Sequence, residues 1–130
     1  MEVIPLKELA CRTASKVVID DSNERMEFTF HDGSIATFMH IQDCCETVHI
    51  AEISGDLCDL IGQPLLVAEM RTTSDFGAVD DQYKAYAMDE SNTWTFYTFR
   101  TIKGTVDVRW IGSSNGYYSE EVDFYFQEAV

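Results

Sequence analysis

No stretch of this chain approaches the roughly 18–20 consecutive apolar residues that a membrane-crossing helix requires. The opening residues, MEVIPLKELACRTASK, lack a basic region followed by an apolar one, so no secretory signal is read there. A soluble, cytoplasmic protein with no membrane partner is the expectation. Cations are scarce: nine Lys and Arg stand against 23 Asp and Glu, for a formal net charge of -14. Between Met26 and Met70 there is no Lys or Arg, while eight acids occur: Glu27, Asp32, Asp43, Glu46, Glu52, Asp56, Asp59 and Glu69. Such a surface repels a nucleic-acid backbone, so direct nucleic-acid binding is not expected. It could instead imitate DNA in the basic groove of a partner, although keeping a small protein soluble is the commoner role of such charge.

Catalytic signatures are missing too. There is no phosphate-binding Walker loop, no H-E-x-x-H, no dinucleotide fingerprint, and no G-x-S-x-G around Ser113 and Ser114. His31, His40 and His49 are scattered. The four cysteines, Cys11, Cys44, Cys45 and Cys58, form no C-x-x-C pair, and a Cys44/Cys45/His49/Cys58 set matches no structural-zinc spacing. A direct Cys44–Cys45 bridge would close a strained ring. Buried free thiols, no metal, no cofactor and no catalysis are therefore the expectations.

What is present is a well-populated core composition. With 45% hydrophobic and 12% aromatic residues in 130, the chain suits one globular domain over residues 1–130. Apolar–polar alternation marks strands at Lys16–Asp20, Glu27–Phe30, Ser34–Met39, Thr47–Ile53 and Leu65–Met70. Asp32-Gly33 joins two of them as a type I′ hairpin signal. Leu57, Leu60 and Ile61 sit at helical spacing before Gly62 and Pro64, which reads as one short helix. Pro5–Ala10 reads as a short helix or arm, and Thr72–Asn92 as a long polar loop. The fold class expected is α+β, mainly β: a meander of six to eight largely antiparallel strands with one short helix.

The segment Thr93–Ser119 departs from the rest. It carries Arg100, Lys103 and Arg109 against the single acid Asp107, among many aromatics. Two strands, Thr93–Ile102 and Thr105–Ile111, meet at a turn near Lys103-Gly104. A second turn at Gly112–Gly116 leads to a last strand, Tyr117–Phe126. Alternation puts Trp94, Phe96, Thr98 and Arg100 on one face and Thr95, Tyr97, Phe99 and Thr101 on the other. Asp107 and Arg109 share a face opposite Val106, Val108 and Trp110. Both tryptophans are read as core rather than as stacking platforms. An anionic nucleotide needs a π-face, cations for phosphate and small donors, and this window holds all three. The amides of Gly112–Gly116 suit an anion-binding nest, although such a sequence most often only makes a turn. The candidate ligand-binding residues are Arg100, Lys103, Arg109, Ser113, Ser114, Asn115 and Tyr117.

The strings CCE (Cys44–Glu46), GDLCDLIGQPLL (Gly55–Leu66), WTFY (Trp94–Tyr97), TIKGTVDVRW (Thr101–Trp110) and GSSNGYYSEEVDF (Gly112–Phe124) resemble a group of small phage- and prophage-encoded proteins, many known only as domains of unknown function. The chain also resembles, more distantly, the Thoeris anti-defence sponge proteins. Those phage proteins oligomerise and sequester cyclic ADP-ribose signals, and some hold cyclic oligonucleotides. The resemblance implies a homo-oligomeric, non-catalytic sponge for a nucleotide immune signal, acting in the host bacterial cytoplasm. The acidic span implies the alternative: an inhibitor that binds a host nuclease or other DNA-binding defence protein.

Overall fold

The computed structural model describes residues 4–42, 45–74, 91–114 and 119–129. Its eight strands are β1 (Ala14–Ile19), β2 (Arg25–Phe30), β3 (Ile35–Met39), β4 (Thr47–Ser54), β5 (Val67–Ser74), β6 (Ser91–Thr101), β7 (Gly104–Ser114) and β8 (Asp123–Gln127). They form two four-stranded antiparallel sheets, ordered β1-β2-β3-β8 and β4-β7-β6-β5. The order is not that of a meander. β4 leaves the first sheet to pair with β7, β5 takes the far edge of the second sheet, and β8 returns to lie beside β3.

Each sheet has one apolar face, and the two faces bury each other, as in a sandwich. From the first sheet come Met26, Phe28, Ala36, Phe38 and Phe126; from the second come Ile50, Tyr97, Phe99, Val106, Val108 and Trp110. The aromatics meet across the interface. Phe28 and Phe99 have ring centroids 4.9 Å apart, and Phe38 lies edge-on to Tyr97 at 4.8 Å. Alternation separates the two faces of β6, and packing of the sheets turns one of them inward, with Thr95, Tyr97, Phe99 and Thr101 all buried.

The described residues contain no α-helix. Leu57–Leu60 is a single 3-10 turn, started by the Asp56 carboxylate accepting from the Cys58 amide at 2.9 Å. Leu6–Leu9 is another such turn. Four residues between a strand and Gly62-Gln63-Pro64 leave no length for the cooperative i→i+4 ladder of an α-helix. The chain after the second turn ties the sheets together: Thr13 bridges Pro64 and Ala14 bridges Ile61. None of the described helices is long and apolar enough to cross a membrane.

The β2–β3 connection is a hairpin, but not through a type I′ turn. Only Gly33 has positive φ (89°); the Gly33 amide donates to Phe30 O at 3.0 Å, and Phe30 N to Ser34 O at 2.9 Å. Asp32 stays at negative φ because its carboxylate caps the turn, accepting from the Ser34 amide at 2.8 Å.

Other segments also differ from the sequence reading. Residues 72–74 extend β5 and residues 91–92 begin β6, so the expected loop is shorter at both ends; its remainder lies outside the described residues. Gly112, Ser113 and Ser114 belong to β7 rather than to a turn, because all three pair with β6 and the first two also pair with β4. The last strand covers only Asp123–Gln127. Cys11 and Cys58 are free but exposed, not buried, and Cys45 is disulfide-bonded. No cluster of three or more metal-ligating side chains occurs among the described residues.

Candidate functional site: the outer face of the second sheet

The register of β4, β7, β6 and β5 places one residue from each strand in a single row across the outer face: Glu52, Arg109, Phe96 and Arg71. The next row is Ser54, Asp107, Thr98 and Glu69. Cross-strand neighbours in such rows stand about 4.5–5.5 Å apart, close enough for side chains to interact directly. They do so here. The Arg71 guanidinium lies over the Phe96 ring at 4.8 Å, and that of Arg109 over the Trp94 ring at 4.7 Å. Arg109 also donates to the Glu52 carboxylate at 2.7 Å, and the Thr98 hydroxyl donates to Asp107 at 2.7 Å.

Two adjoining concavities open on this face and share Phe96 and Asp107. One, of about 370 Å³, is lined further by Glu69, Met70, Arg71 and Thr98. The other, of about 170 Å³, is lined by Glu52, Ser54 and Arg109. Two aromatic rings, Phe96 and Trp94, each carrying a guanidinium, can together receive a planar ring and an anionic group.

The face is not a bare cationic patch, however. Glu52, Glu69 and Asp107 stand beside Arg71, Arg100 and Arg109. The local excess of cations read from Thr93–Ser119 is offset by carboxylates from β4 and β5, which that window does not contain.

Of the seven residues singled out from sequence, the five that are described do not converge. Arg100 and Arg109 share the outer face, separated along the β6–β7 ladder by about four residues, or about 13 Å. Lys103 sits in the hairpin turn and donates through Nζ to Ile61 O at 2.9 Å, holding the turn against the second 3-10 segment. Ser113 is ten residues further along β7, roughly 33 Å away, and its hydroxyl donates to Asn92 Oδ1 at 2.7 Å. Ser114 donates to the buried Glu120 carboxylate at 2.6 Å. The amides of Gly112 to Ser114 lie in the sheet ladder. Asn115 and Tyr117 lie outside the described residues.

Of the two tryptophans, Trp110 is core, as read. Trp94 is buried, but on the outer face beneath Arg109 and apart from the main core cluster. Arg71 and Phe96 are the residues that sequence reasoning did not select. Phe96 was placed on the correct face, but Arg71 lay in a different strand with no local signal linking it to that ring.

The histidines divide between structural and environmental roles. His40 is enclosed: Nδ1 donates to Glu121 O at 2.7 Å and Nε2 contacts Glu46 Oε2 at 3.0 Å. Gln42 also donates to Glu46, so this group pins the chain between β3 and β4. His49 points from β4 into a polar concavity of about 440 Å³ shared with Ser22, Glu24 and Glu46. Burial lowers its pKa below the ordinary 6.5, and nearby Glu24 only partly opposes this. The unfolded chain therefore takes up the His49 proton first. Its contribution to stability is complete above about pH 6.5 and is lost as pH falls through the depressed folded value. Replacing His49 with Gln should flatten the fall of the thermal midpoint across that interval, as followed by circular dichroism.

Fold and face together define a small antiparallel β-sandwich that presents an aromatic and guanidinium-bearing sheet surface. The chain belongs to the family described as a domain of unknown function, DUF7448, whose profile matches residues 7–124. No curated protein and no solved structure matches it.

Proposed function

We propose that this protein is a phage-type anti-defence sponge. It holds a nucleotide-derived immune signal, of the cyclic ADP-ribose or cyclic oligonucleotide type, without catalysis, on the outer face of the second sheet. The observation that carries this reading is the row Glu52–Arg109–Phe96–Arg71, in which one partly exposed ring carries the Arg71 guanidinium and has Arg109 as its cross-strand neighbour. The base packs against Phe96 and the phosphates engage Arg71 and Arg109, while Arg100 extends the cationic line along β6. Stacking of a base on an aromatic ring contributes about 1–3 kcal/mol.

Glu52 is the internal competitor for the ligand's phosphate. Its carboxylate is 57% exposed, and its bond to Arg109 is a surface ion pair, a type that typically contributes about 0–1 kcal/mol. A phosphate can therefore displace it at little cost. Arg71→Ala or Arg109→Ala should weaken binding about tenfold or more while leaving the fold intact, whereas Glu52→Gln should strengthen it. Isothermal titration calorimetry separates the two directions. Weaker binding by the Glu52 variant would remove this face from the site.

The alternative, an acidic inhibitor that imitates DNA, has less to support it. Such mimicry needs free, regularly spaced carboxylates. Among the eight acids of the cation-free span, Glu27 pairs with Arg25, Asp32 with Arg12 and Glu52 with Arg109, while Glu46 is buried against His40 and Asp56 caps a 3-10 turn.

The test of the sponge reading is thermal denaturation with a panel of cyclic ADP-ribose isomers and cyclic oligonucleotides. A bound ligand raises the midpoint by linkage, and heating the complex should release it chemically intact. A panel without any shift rejects the reading. Native mass spectrometry from cells making such signals reports the ligand and the homo-oligomer together.

A further inference from the structure

A further concavity lies on the opposite side of the second sheet, at the seam of the sandwich. Among the described residues β8 pairs only with β3, and β5 only with β6, so each ends its sheet. Between those edges is a cavity of about 290 Å³ lined by Ile4, Leu6, Met70, Tyr97, Val122 and Phe124, with Asp123 and Tyr125 at its margin. Its back wall is rigid. Phe38 is stacked on Phe124 at 4.9 Å and edge-on to Tyr97 at 4.8 Å, so both wall rings are held from behind.

The lining is mainly apolar and carries two polar groups near one another. Asp123 is anchored by the Ile41 amide, which donates to its Oδ2 at 3.0 Å; Oδ1 has no hydrogen bond among the described residues. The Tyr97 hydroxyl likewise has none among the described residues. Burial, and secondarily the Asp123 carboxylate, raise the Tyr97 pKa above its ordinary value of 10, so the phenol stays protonated. Met70, at the mouth, is 52% exposed, a large flexible apolar side chain left in solvent.

Size, wall and charge together select an occupant. A dry apolar cavity of about 150 Å³ accommodates benzene, so 290 Å³ open on one side accommodates a bicyclic ring. The carboxylate and the overall charge of -14 disfavour an anion. Ligand sites of this kind combine an apolar wall with a few fixed polar groups.

We infer that the seam between β5 and β8 binds a small aromatic molecule bearing an amine or hydroxyl donor, with the ring against Tyr97 and Phe124 and the donor on Asp123. This site lies on the other side of β5 from the proposed nucleotide face, with Met70 common to both linings, and takes ligands of the opposite charge. Its occupancy does not depend on the sponge reading.

Three probes of one ring size test it: tryptamine, indole and indole-3-acetate, titrated at millimolar concentration while methyl resonances of Ile4, Leu6, Met70 and Val122 are followed by NMR. Tryptamine should shift these methyls and bind at least about tenfold tighter than indole, the low end of the worth of one hydrogen bond to a charged group; indole-3-acetate should bind weakest. Asp123→Asn should erase the preference for tryptamine while leaving indole unchanged. Met70→Trp, or Ile4→Trp should the first variant fold poorly, should fill the cavity and abolish binding of every probe. Absence of shifts with all three probes, shifts centred on Phe96 and Arg71 instead, or binding that survives the filling variants overturns the inference.

Discussion

Phe38→Ala should destabilise the protein by about 3–5 kcal/mol, the range for removing a fully buried aromatic side chain. Phe38 has no exposed surface and touches four rings: Phe28, Tyr97, Phe99 and Phe124, with centroids 5.9, 4.8, 5.5 and 4.9 Å away. Two of these belong to the opposite sheet and two to its own, so the substitution opens a void where the sheets meet. The neighbours cannot collapse into it, because each is fixed by its own strand register. The thermal midpoint should fall by roughly 10–20 °C, and urea unfolding should show a lower midpoint at unchanged slope. Phe38→Leu should cost less, about 1–2 kcal/mol, because most of the volume is kept. An alanine variant losing under about 1 kcal/mol would contradict this picture of the interface. The same variant removes the support behind Tyr97 and Phe124, so it should also weaken occupancy of the seam.

Gly112→Ala should be the second most damaging of these substitutions, near the upper end of the roughly 1–3 kcal/mol typical of overpacking. Its added Cβ would stand 2.6 Å from Glu120 O and 2.7 Å from Glu120 Cβ. These are backbone and near-backbone atoms that cannot swing aside. Relief requires moving the chain around Glu120 away from β7, which also separates the Glu120 carboxylate from the Ser114 hydroxyl. Chemical denaturation measures the loss, and amide hydrogen exchange around Ser114 and Glu120 should locate it there. Ser114→Ala, which breaks the hydrogen bond without a clash, separates the two contributions. Equal losses for the two variants would show that the hydrogen bond, not the close approach, is the reason for glycine.

The role of Gly112 illustrates how far the sequence could be read. GSSNG has the composition of a turn, and turn chemistry is local. Gly112, Ser113 and Ser114 are nevertheless strand residues, because β6 flanks all three and β4 the first two, and Glu120, eight residues on, presses on Gly112. Nothing within the motif encodes the approach of Glu120. The DG turn behaved similarly. Its existence was legible, but its geometry followed from the Asp32 carboxylate bonding ahead to Ser34.

The candidate face was legible in halves. Period-two alternation put Phe96 and Arg100 together and set Arg109 opposite Trp110, since side-chain direction in a strand depends only on position. The charge of that face was not legible. Glu52 is 57 residues from Arg109 in sequence, and it meets that guanidinium only because β4 and β7 are neighbours. Arg71 reaches Phe96 by the register of β5 on β6, which has no signature in either strand alone.

By itself, then, the sequence determined that the chain is mainly β with largely antiparallel strands, which residues of a strand share a face, and that β6 and β7 form a long hairpin. These follow from local rules: alternation, turn residues and the short span of the hairpin. The tertiary structure decided that the strands divide into two sheets, that the cations of β6 and β7 are offset by carboxylates from β4 and β5, and that a seam lies between β5 and β8. Those outcomes depend on which distant strands become neighbours. That choice is made by the burial of both apolar faces at once, a property of the whole chain rather than of any window within it.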